Sequence, residues 1–278
     1  MIVKESPAKV NLYLKVLRKR EDGYHDIVSL MQQISLCDEM CFEEKRTGLT
    51  LTCPGSSIPE DDSNIVRRAA RSFFDVLSHS GGVEITIRKH IPIAAGLGGG
   101  SSNAATTLVT LNEMFGSPLD RNGLMKIGAS VGADVPFFLY GKTAWATGIG
   151  DRLMPADPFP PLRYILVNPG FELSTRMVYE NLKMTLTNGP IQYSIPRFLT
   201  RSDVIHGLYN ELEAVSVRHY PVISELKNLL VAHGALNALM TGSGPTVFGI
   251  FEDEEEAARA EQALRECGIG TVFSAHSL

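Results

Sequence analysis

A glycine-rich stretch, AAGLGGGSSNAA at residues 94–105, constrains the fold of this chain more than any other segment. The residues before it, VEITIRK, place Val83, Ile85 and Ile87 on one face and predict a strand. The residues from Ser101 to Phe115 predict a helix. A loop between a strand and a helix start gathers several backbone N–H groups in one concavity, where the helix dipole adds positive potential. The pattern therefore favours a phosphate-binding loop.

The structural alternative for the same loop is a tight turn with a serine cap. Ser101, Ser102 and Asn103 can cap the following helix and offer polar groups to phosphate or to a metal. The loop is not a Walker A loop, because no Gly-Lys-Ser/Thr follows it. It is a poor dinucleotide-binding fingerprint, because the third required glycine is replaced by Ser101. The protein-kinase motifs HRD and DFG do not occur in the sequence.

Length and composition limit the class of protein. A chain of 278 residues with 44% hydrophobic residues can bury a large core and predicts about two domains. The net charge of -5 argues against a nucleic-acid-binding surface but is compatible with a small anionic ligand. The sequence MIVKESPAKV lacks an apolar signal region, and no segment is long enough to span a bilayer. We therefore expect neither a nucleic-acid partner nor a membrane partner.

The cysteines suggest a reducing compartment. They show no CxxC pair and no metal-ligand spacing, which is typical of reduced thiols in a cytoplasmic protein. They are Cys37, Cys41, Cys53 and Cys267.

The order of the predicted elements divides the chain into two parts. Strands dominate from Met1 to about Cys53, and the chain ends in a strand, a helix and a strand. Between them we predict a loop around Leu186 to Pro196 and helices near Pro196 to Leu208 and Pro221 to His233. The boundary between the parts is expected near residues 155–175.

Five segments together carry a resemblance to a known family. PIAAGLGGGSSNAA at residues 92–105 resembles the central ATP-binding motif of the galactokinase/homoserine kinase/mevalonate kinase/phosphomevalonate kinase superfamily. TGSGPTVF at Thr241 to Phe248 resembles the third glycine motif of that superfamily. SPAKVNLYL at Ser6 to Leu14, DGYH at Asp22 to His25 and GADVPFF at Gly132 to Phe138 resemble one branch of it. Members of that branch phosphorylate the 2-hydroxyl of a cytidine diphosphate ester of methylerythritol.

The resemblance implies an α+β, two-lobe small-molecule kinase fold with the active site between the lobes. Residues 1–160 would form an N-terminal ATP-binding lobe of the ribosomal-protein-S5-like type, which contains the glycine-rich loop. Residues 161–278 would form a ferredoxin-like substrate lobe. It also implies ATP as phosphoryl donor and Mg²⁺ held mostly by ATP oxygens and water, with no assigned protein ligand. No obligate protein partner is evident from the sequence.

Two residues are predicted to be catalytic. The resemblance makes Asp134 the acceptor of the substrate hydroxyl proton as the O–P bond forms. The alternative is structural, because Asp-Val-Pro is a good N-cap sequence. Lys9 shares a strand face with Asn11, opposite Val10 and its apolar neighbours. By resemblance Lys9 would pair with Asp134 and contact the reacting group; the alternative is a solvated edge lysine that blocks aggregation.

The resemblance also assigns the ligand contacts. An aromatic pair, Tyr24 and Tyr179, would hold the cytosine, while His25 would bond its edge. The segment TGSGPT would supply a second backbone cradle facing the substrate or the first loop, unless it is a simple turn. The predicted substrate residues are Asn11, Tyr24, His25, Thr175, Tyr179, Gly242, Ser243 and Gly244. The predicted ATP residues are Asn64, Val66, Pro92, Gly96, Leu97, Gly98, Gly99, Gly100, Ser101, Ser102 and Asn103.

Two other functions are compatible with parts of this pattern. One is a different small-molecule kinase of the same fold, such as a homoserine or sugar kinase, against which DGYH and PAKVNLYL argue. The other is a nucleotide-binding sensor without catalysis, against which the presence of Lys9 and Asp134 argues.

Overall fold

Two long strands account for most of the first 45 residues in the computed structural model, which describes residues 1–77, 81–182 and 193–278. The strands are β1 Ile2–Lys19, β2 His25–Lys45, β3 Gly48–Thr52, β4 Gly82–Arg88, β5 Ala144–Gly148, β6 Arg152–Pro155, β7 Arg163–Asn168, β8 Tyr209–Asn210, β9 Asn237–Met240, β10 Val247–Phe251 and β11 Thr271–His276. The helices are α1 Ile65–Leu77, α2 Gly99–Met114, α3 Arg121–Val131, α4 Val135–Tyr140, α5 Thr175–Glu180, α6 Arg201–Gly207, α7 Glu213–His219, α8 Val222–Ala232 and α9 Glu254–Glu266.

The chain divides into two compact units. The first comprises Met1–Ala8, Cys37–Ile93 and Gly98–Gly141, and the second comprises Lys9–Leu36, Ala94–Leu97 and Lys142–Leu278. The chain passes from one unit to the other several times, so neither unit is one continuous part of the sequence. The predicted division at residue 160 stays a prediction.

The first unit packs four helices with a small sheet. Strand β4 lies between β3, which runs parallel to it, and the C-terminal part of β2, which runs antiparallel to it. Helix α1 packs against α2 and α3, and α4 packs against α2 and α3. Large apolar side chains, among them Phe42, Phe73, Ile85 and Phe137, are fully buried in this unit. The alternation of buried and partly exposed residues in β4 follows from its period of two.

The second unit contains an antiparallel sheet with the strand order β11-β7-β10-β9. Its register pairs Val247 with Val167 on one side and with Met240 on the other. Along the chain these strands and the helices α8 and α9 follow the order β-α-β-β-α-β, which is the ferredoxin-like arrangement. The predicted ferredoxin-like part of the chain is thus confirmed. In the same unit β5 pairs with β2 and β6, and β8 pairs with β1.

Several predicted elements have different bounds in the structure. The helix expected from Pro196 begins only at Arg201, because Thr200 and Asp203 form a capping box that sets its start. Of the loop predicted at Leu186 to Pro196, residues 186–192 lie outside the described residues, and residues 193–196 are neither helix nor strand. Among the helices of the described chain, none is long and apolar enough to cross a membrane.

A fully buried carboxylate, Asp38 on β2, organises the first unit. One of its oxygens accepts hydrogen bonds from the backbone N–H groups of His90 (2.8 Å) and Ile91 (2.9 Å). The other accepts from the Lys89 ammonium group and from Asn103 Nδ2 (3.0 Å). Burial of a carboxylate is costly unless it is paired and hydrogen-bonded, and Asp38 satisfies both conditions. It therefore connects the segment that leaves β4 with the first turns of α2.

The connection continues to β1 through hydroxyl groups. Asn103 Nδ2 also donates to Ser6 Oγ at 3.0 Å, and Ser6 Oγ donates to Ser102 Oγ at 2.8 Å. All of these side chains are buried. The network therefore connects the first turns of α2 to β1 and β2.

Replacement of Asp38 tests this dependence. Asp38→Asn leaves the Lys89 charge without its carboxylate partner and places an amide donor beside other donors. We expect the free energy of unfolding in urea to fall by about 3–5 kcal/mol, the usual cost of breaking a buried pair. The matched control is Glu39→Gln, because the neighbouring Glu39 forms an ion pair with Arg88 at the surface. The control should lose at most about 1 kcal/mol. Equal losses for the two variants would contradict the organising role of Asp38.

Candidate functional site

The backbone of the glycine-rich loop is shaped by three residues with positive φ, of which Ala94 (φ 49°) is the one that is not glycine. Gly96 has φ 77° and Gly98 has φ 72°, in the left-handed region that glycine adopts without steric cost. Gly98 is the N-cap of α2, and no side chain caps this helix end. The prediction that Ser101, Ser102 or Asn103 caps the helix is therefore wrong, since the helix begins at Gly99. Uncapped N–H groups at a helix start are suited to an anionic oxygen.

The polar residues after the glycines serve different purposes. Ser102 and Asn103 are buried and turn their side chains to the Asp38 network, whereas Ser101 stays half-buried. Gly100 is exposed, and a Cβ there would lie no nearer than 3.6 Å to another side chain, Ile65 Cγ2. The open part of the loop thus consists of backbone and of the Ser101 hydroxyl.

The first unit brings three predicted segments together around this helix start. Asn64 Oδ1 accepts from the N–H of Val66 at 2.8 Å, which begins α1. A Cβ on Gly132 would lie 3.0 Å from Ile65 Cδ1 and 3.9 Å from Ser101 Oγ. The start of α1, the start of α2 and the GADVP segment therefore meet. Pro92 and Gly99 belong to the same unit. The side chains of Asn64 and Val66 are buried, so their predicted contact with ATP would involve mainly the backbone.

Asp134 occupies the N-cap position of α4 without acting as a cap. Its backbone is helical (φ -86°, ψ -10°), and its carboxylate makes no capping hydrogen bond. The side chain is half-buried. By contrast, Asp120 at the start of α3 accepts a hydrogen bond from the N–H of Gly123 at 2.8 Å. The structural alternative for Asp134 thus loses its main support.

Lys9 is buried in the second unit, with 4% of its surface exposed, and Asn11 is 3% exposed. The Lys9 ammonium group donates to Asn11 Oδ1 at 2.5 Å and to the Gly96 carbonyl oxygen at 2.9 Å. Asn11 Nδ2 donates to Ser29 Oγ at 2.8 Å. The alternative of a solvated edge lysine is therefore wrong. Burial of a long cationic side chain is rare unless it is paired, which indicates a specific task for the charge.

The TGSGPT loop, which connects β9 with β10, lies against the first glycine-rich loop. A Cβ on Gly96 would lie 2.1 Å from the Thr241 carbonyl oxygen, a distance that only glycine permits. A Cβ on Gly242 would lie 3.3 Å from Lys9 Nζ. The Asn11 N–H donates to Thr241 Oγ1 at 3.0 Å. TGSGPT is therefore more than a simple turn, because its residues pack on Gly96 and beside Lys9.

The predicted substrate residues also lie in the second unit. The rings of His25 and Tyr179 are 4.8 Å apart at an angle of 32°. Tyr24 is 57% exposed on the turn between β1 and β2. Burial, with a smaller contribution from the Lys19 charge, lowers the pKa of His25 below its usual 6.5. His25 is therefore neutral at pH 7 and can both donate and accept a hydrogen bond.

Two further predicted substrate residues, Thr175 and Ser243, are in contact with each other. The hydroxyl groups of Thr175 and Ser243 lie 2.8 Å apart, so the start of α5 contacts the TGSGPT loop. Gly244, which precedes a cis proline, completes the same loop.

The two residues predicted to be catalytic belong to different units: Lys9 to the second and Asp134 to the first. The first unit also holds Gly98–Asn103, and the second holds Gly96 and Leu97. The pairing of Lys9 with Asp134 stays a prediction.

Sequence reasoning missed several residues of this site. Asp38 and Asn210 lie outside all of the glycine motifs, and Thr241 was noticed only as part of TGSGPT. The sequence does not set Asp38 or Asn210 apart, because β2 contains many other polar residues and β8 consists of Tyr209 and Asn210 alone.

The part of the chain that the structure describes contains no group of three or more acidic, histidine or cysteine side chains that could hold a metal ion.

Comparisons with known proteins extend these observations. Two family models match the chain: "GHMP kinases N terminal domain" over residues 64–142 and "GHMP kinases C terminal" over residues 199–270. The 4-diphosphocytidyl-2-C-methyl-D-erythritol kinase of Syntrophus aciditrophicus (strain SB) is 55% identical over 276 residues, which are 98% of each chain. The enzyme of the same name from Geobacter metallireducens is 49% identical over 277 residues, 99% of this chain and 98% of the relative.

Solved structures agree with these relatives. A crystal structure of 4-(cytidine 5'-diphospho)-2C-methyl-D-erythritol kinase has a TM-score of 0.82 and 34% identity, and the match covers 99% of both chains. The mevalonate kinase of Methanococcus jannaschii, with a TM-score of 0.74 and 15% identity over 100% of this chain and 98% of the other, shows likeness of fold alone. The predicted α+β kinase fold with two lobes is thereby confirmed. The chain belongs to the GHMP kinases and, within them, to the 4-diphosphocytidyl-2-C-methyl-D-erythritol kinase family.

Proposed function

We propose that this protein transfers the γ-phosphoryl group of ATP to the 2-hydroxyl of 4-(cytidine 5'-diphospho)-2-C-methyl-D-erythritol. The reaction is a step of the methylerythritol phosphate route to isoprenoid precursors and yields the 2-phosphate and ADP. The observation that carries the proposal is the full-length similarity to kinases of that name, together with a buried Lys9 that contacts the glycine-rich loop at Gly96. The substrate is a small molecule, and a cytoplasmic location and the lack of an obligate protein partner stay predictions.

Positioning and charge neutralisation supply most of the catalysis in phosphoryl transfer. In our proposal the backbone of Gly98–Gly100 and the Ser101 hydroxyl hold phosphate oxygens of ATP. The uncapped start of α2 supports this role. Asn64, Val66 and Pro92 would flank the adenine. The remaining proposed ATP contacts are Gly96 and Leu97, whose carbonyl oxygens accept hydrogen bonds from Lys9, and Ser102 and Asn103, whose side chains bind Ser6 and Asp38.

The proposed general base is Asp134. A carboxylate is too weak a base to ionise an alcohol in advance, but it can accept the proton while the O–P bond forms. Freedom from a capping bond supports this role. Lys9 would neutralise charge on the transferred group, and Asn11, which accepts a hydrogen bond from Lys9, would orient the substrate. The breaking bond joins the γ-phosphorus to the bridging oxygen, and ADP leaves with the electron pair.

Mg²⁺ would accompany ATP. Hard cations prefer oxygen ligands, and Mg²⁺ commonly takes one or two from the protein and the rest from phosphates and water. The Ser101 hydroxyl is the protein oxygen that suits this ion, because Ser102 is engaged with Ser6. This donor set fits an ion that arrives with the nucleotide. When bound, the ion neutralises phosphate charge.

A substitution of Asp134 separates catalysis from capping. Asp134→Asn keeps the side-chain shape and removes the base, so we expect kcat to fall by about 10²–10⁴-fold, the usual contribution of proton transfer. Binding of an ATP analogue and the melting temperature should change little. The matched control is Asp120→Asn, an acidic residue of the same unit that does cap a helix. ADP release by Asp134→Asn within a few-fold of the wild-type rate would exclude Asp134 as the base.

A substitution of Lys9 tests the buried charge. Lys9→Met keeps the aliphatic stem but leaves the acceptors on Asn11 and Gly96 without their donor. We expect turnover to become undetectable, with a loss of about 1–3 kcal/mol in the free energy of unfolding. Lys4→Met on the same strand is the control, because Lys4 makes a partly exposed ion pair with Glu113. An active, strongly destabilised Lys9→Met enzyme would make Lys9 a structural residue only.

The proposed cytosine contacts can be tested with two substrates. Tyr24→Ala should weaken binding of the cytidine substrate by about 1–3 kcal/mol, the value of base stacking on an aromatic ring, and leave ATP affinity unchanged. His25→Ala should reduce the preference for the cytidine over the uridine diphosphate ester, because the two bases differ at a hydrogen-bonding edge. Steady-state kinetics on both esters provide the comparison, with Tyr193→Ala as an exposed-tyrosine control. Equal use of the two esters by the wild-type enzyme would contradict the proposed contacts of Tyr24 and His25 with cytosine.

The same assay distinguishes the alternatives. ADP release with homoserine or a sugar, but not with the cytidine ester, would indicate another kinase of this fold. ATP binding without ADP release on any of these substrates would indicate a sensor.

A further inference from the structure

The TGSGPT loop is held from one side by a residue that no glycine motif includes. Asn210, on β8, is buried, and its Nδ2 donates to the carbonyl oxygens of Met240 at 2.7 Å and Gly242 at 2.8 Å. Its Oδ1 accepts from the N–H of Leu212 at 3.0 Å. Both amide hydrogens and the amide oxygen are therefore used. This pattern fixes the orientation of the amide, because a flipped group would place an oxygen against two carbonyl oxygens.

A second residue of the same region holds the next carbonyl group. Ser216, on α7, is buried and donates through Oγ to the Ser243 carbonyl oxygen at 3.2 Å. The segment from Asn210 to Ser216 therefore binds three carbonyl groups at the β9 end and within the loop.

These carbonyl contacts set the direction of the N–H groups. In a planar trans peptide the C=O and the following N–H point in opposite directions. Since the Gly242 carbonyl points at Asn210, the Ser243 N–H points away from it. The Thr241 carbonyl accepts from the Gly244 N–H at 2.9 Å, so the Gly242 N–H points away from that contact. Consecutive N–H groups in a turn form a concavity that binds anions.

The two N–H groups lack acceptors although their residues are buried. Within residues 1–77, 81–182 and 193–278, neither the Gly242 N–H nor the Ser243 N–H makes a hydrogen bond. Buried backbone donors are rarely unpaired, and such exceptions mark sites where a ligand supplies the acceptor. Gly242 also lies beside the buried charge, because a Cβ there would be 3.3 Å from Lys9 Nζ.

We propose that Asn210 is a positioning residue of the phosphoryl-transfer site. It holds the TGSGPT loop so that the Gly242 and Ser243 N–H groups stay directed at a phosphate oxygen of a ligand beside Lys9. This inference rests on the proposed function for its ligand, but the holding of the loop can be measured without any substrate. Ser216 supports the same arrangement through the Ser243 carbonyl.

The decisive variant is Asn210→Asp, which keeps the shape but replaces two donors by an oxygen that repels the Met240 and Gly242 carbonyls. We expect kcat to fall at least about tenfold. The KM for ATP should change less than about twofold, because the residues proposed to bind ATP are unaltered. Hydrogen exchange of the peptide containing residues 238–246, measured by mass spectrometry without ligand, should become faster. The melting temperature should stay above the assay temperature.

The matched control is Asn237→Asp at the other end of β9. Asn237 Nδ2 likewise donates to a backbone carbonyl, that of Ile205 at 2.6 Å, and its Oδ1 accepts from a backbone N–H. The control should keep kcat within about twofold and leave exchange of the loop unchanged. If Asn210 were only a structural residue, Asn210→Asp and Asn237→Asp would have similar kcat values and similar hydrogen exchange of the loop.

Each outcome decides the question. A folded Asn210→Asp variant with wild-type kcat or wild-type loop exchange overturns the proposal. If Asn210→Asp is unfolded at the assay temperature, Ser216→Ala replaces it: faster loop exchange with a kcat about threefold or more below wild type supports the proposal, and wild-type values overturn it. If the wild-type enzyme does not release ADP with the cytidine substrate, the proposed function fails. The exchange measurement then decides alone whether Asn210 holds the loop.

Discussion

The close approach of Gly96 to the Thr241 carbonyl is the contact on which the rest of the second unit's site depends. Any side chain at position 96 would collide with that oxygen, so the chain can adopt this arrangement only with glycine there. Because the two loops meet, the Gly96 carbonyl can accept from Lys9 at the same point where Thr241 accepts from the Asn11 backbone. The buried Lys9 ammonium group is therefore stabilised by the Gly96 carbonyl oxygen and the Asn11 amide oxygen.

In the first unit a buried carboxylate, that of Asp38, holds the glycine-rich loop in place. Asp38 binds the segment that follows β4 and the first turns of α2, and the α2 start remains free of side-chain caps. A capped helix start would already have an acceptor for one of its N–H groups. Because the buried side chains bind groups other than the first N–H groups of α2, those N–H groups stay available to a phosphate. Asn210 likewise holds the TGSGPT loop by donating to the carbonyl oxygens of Met240 and Gly242, and its amide oxygen accepts from Leu212 rather than from an N–H group of the loop.

Much of the fold was predictable because the local signals agree with the tertiary structure. Alternation in β4 and β1 predicted strands, and the family resemblance implied the ferredoxin-like sheet, with which the predicted order of the last elements agrees. The errors lie where a side chain overrides the expected pattern. The capping box at Thr200 delays α6, and Ser102 and Asn103 leave capping for the Asp38 network. The alternative of a solvated edge position for Lys9 is wrong, because both faces of β1 are buried around it.

By itself the sequence determined the kinase family, and it predicted the phosphate-binding loop and Lys9 and Asp134 as the reactive side chains. Glycine spacing and short motifs are local, so they can be read without a structure. Only the tertiary structure decided which polar residues hold a loop that is distant from them in the sequence. Asp38, Asn210 and Ser216 are separated in sequence from the loops that they hold, and a hydrogen bond between distant segments leaves no periodic signal in the chain. The directions of the Gly242 and Ser243 N–H groups follow from the hydrogen bonds of the Thr241 and Gly242 carbonyls and from peptide planarity, which no sequence pattern contains.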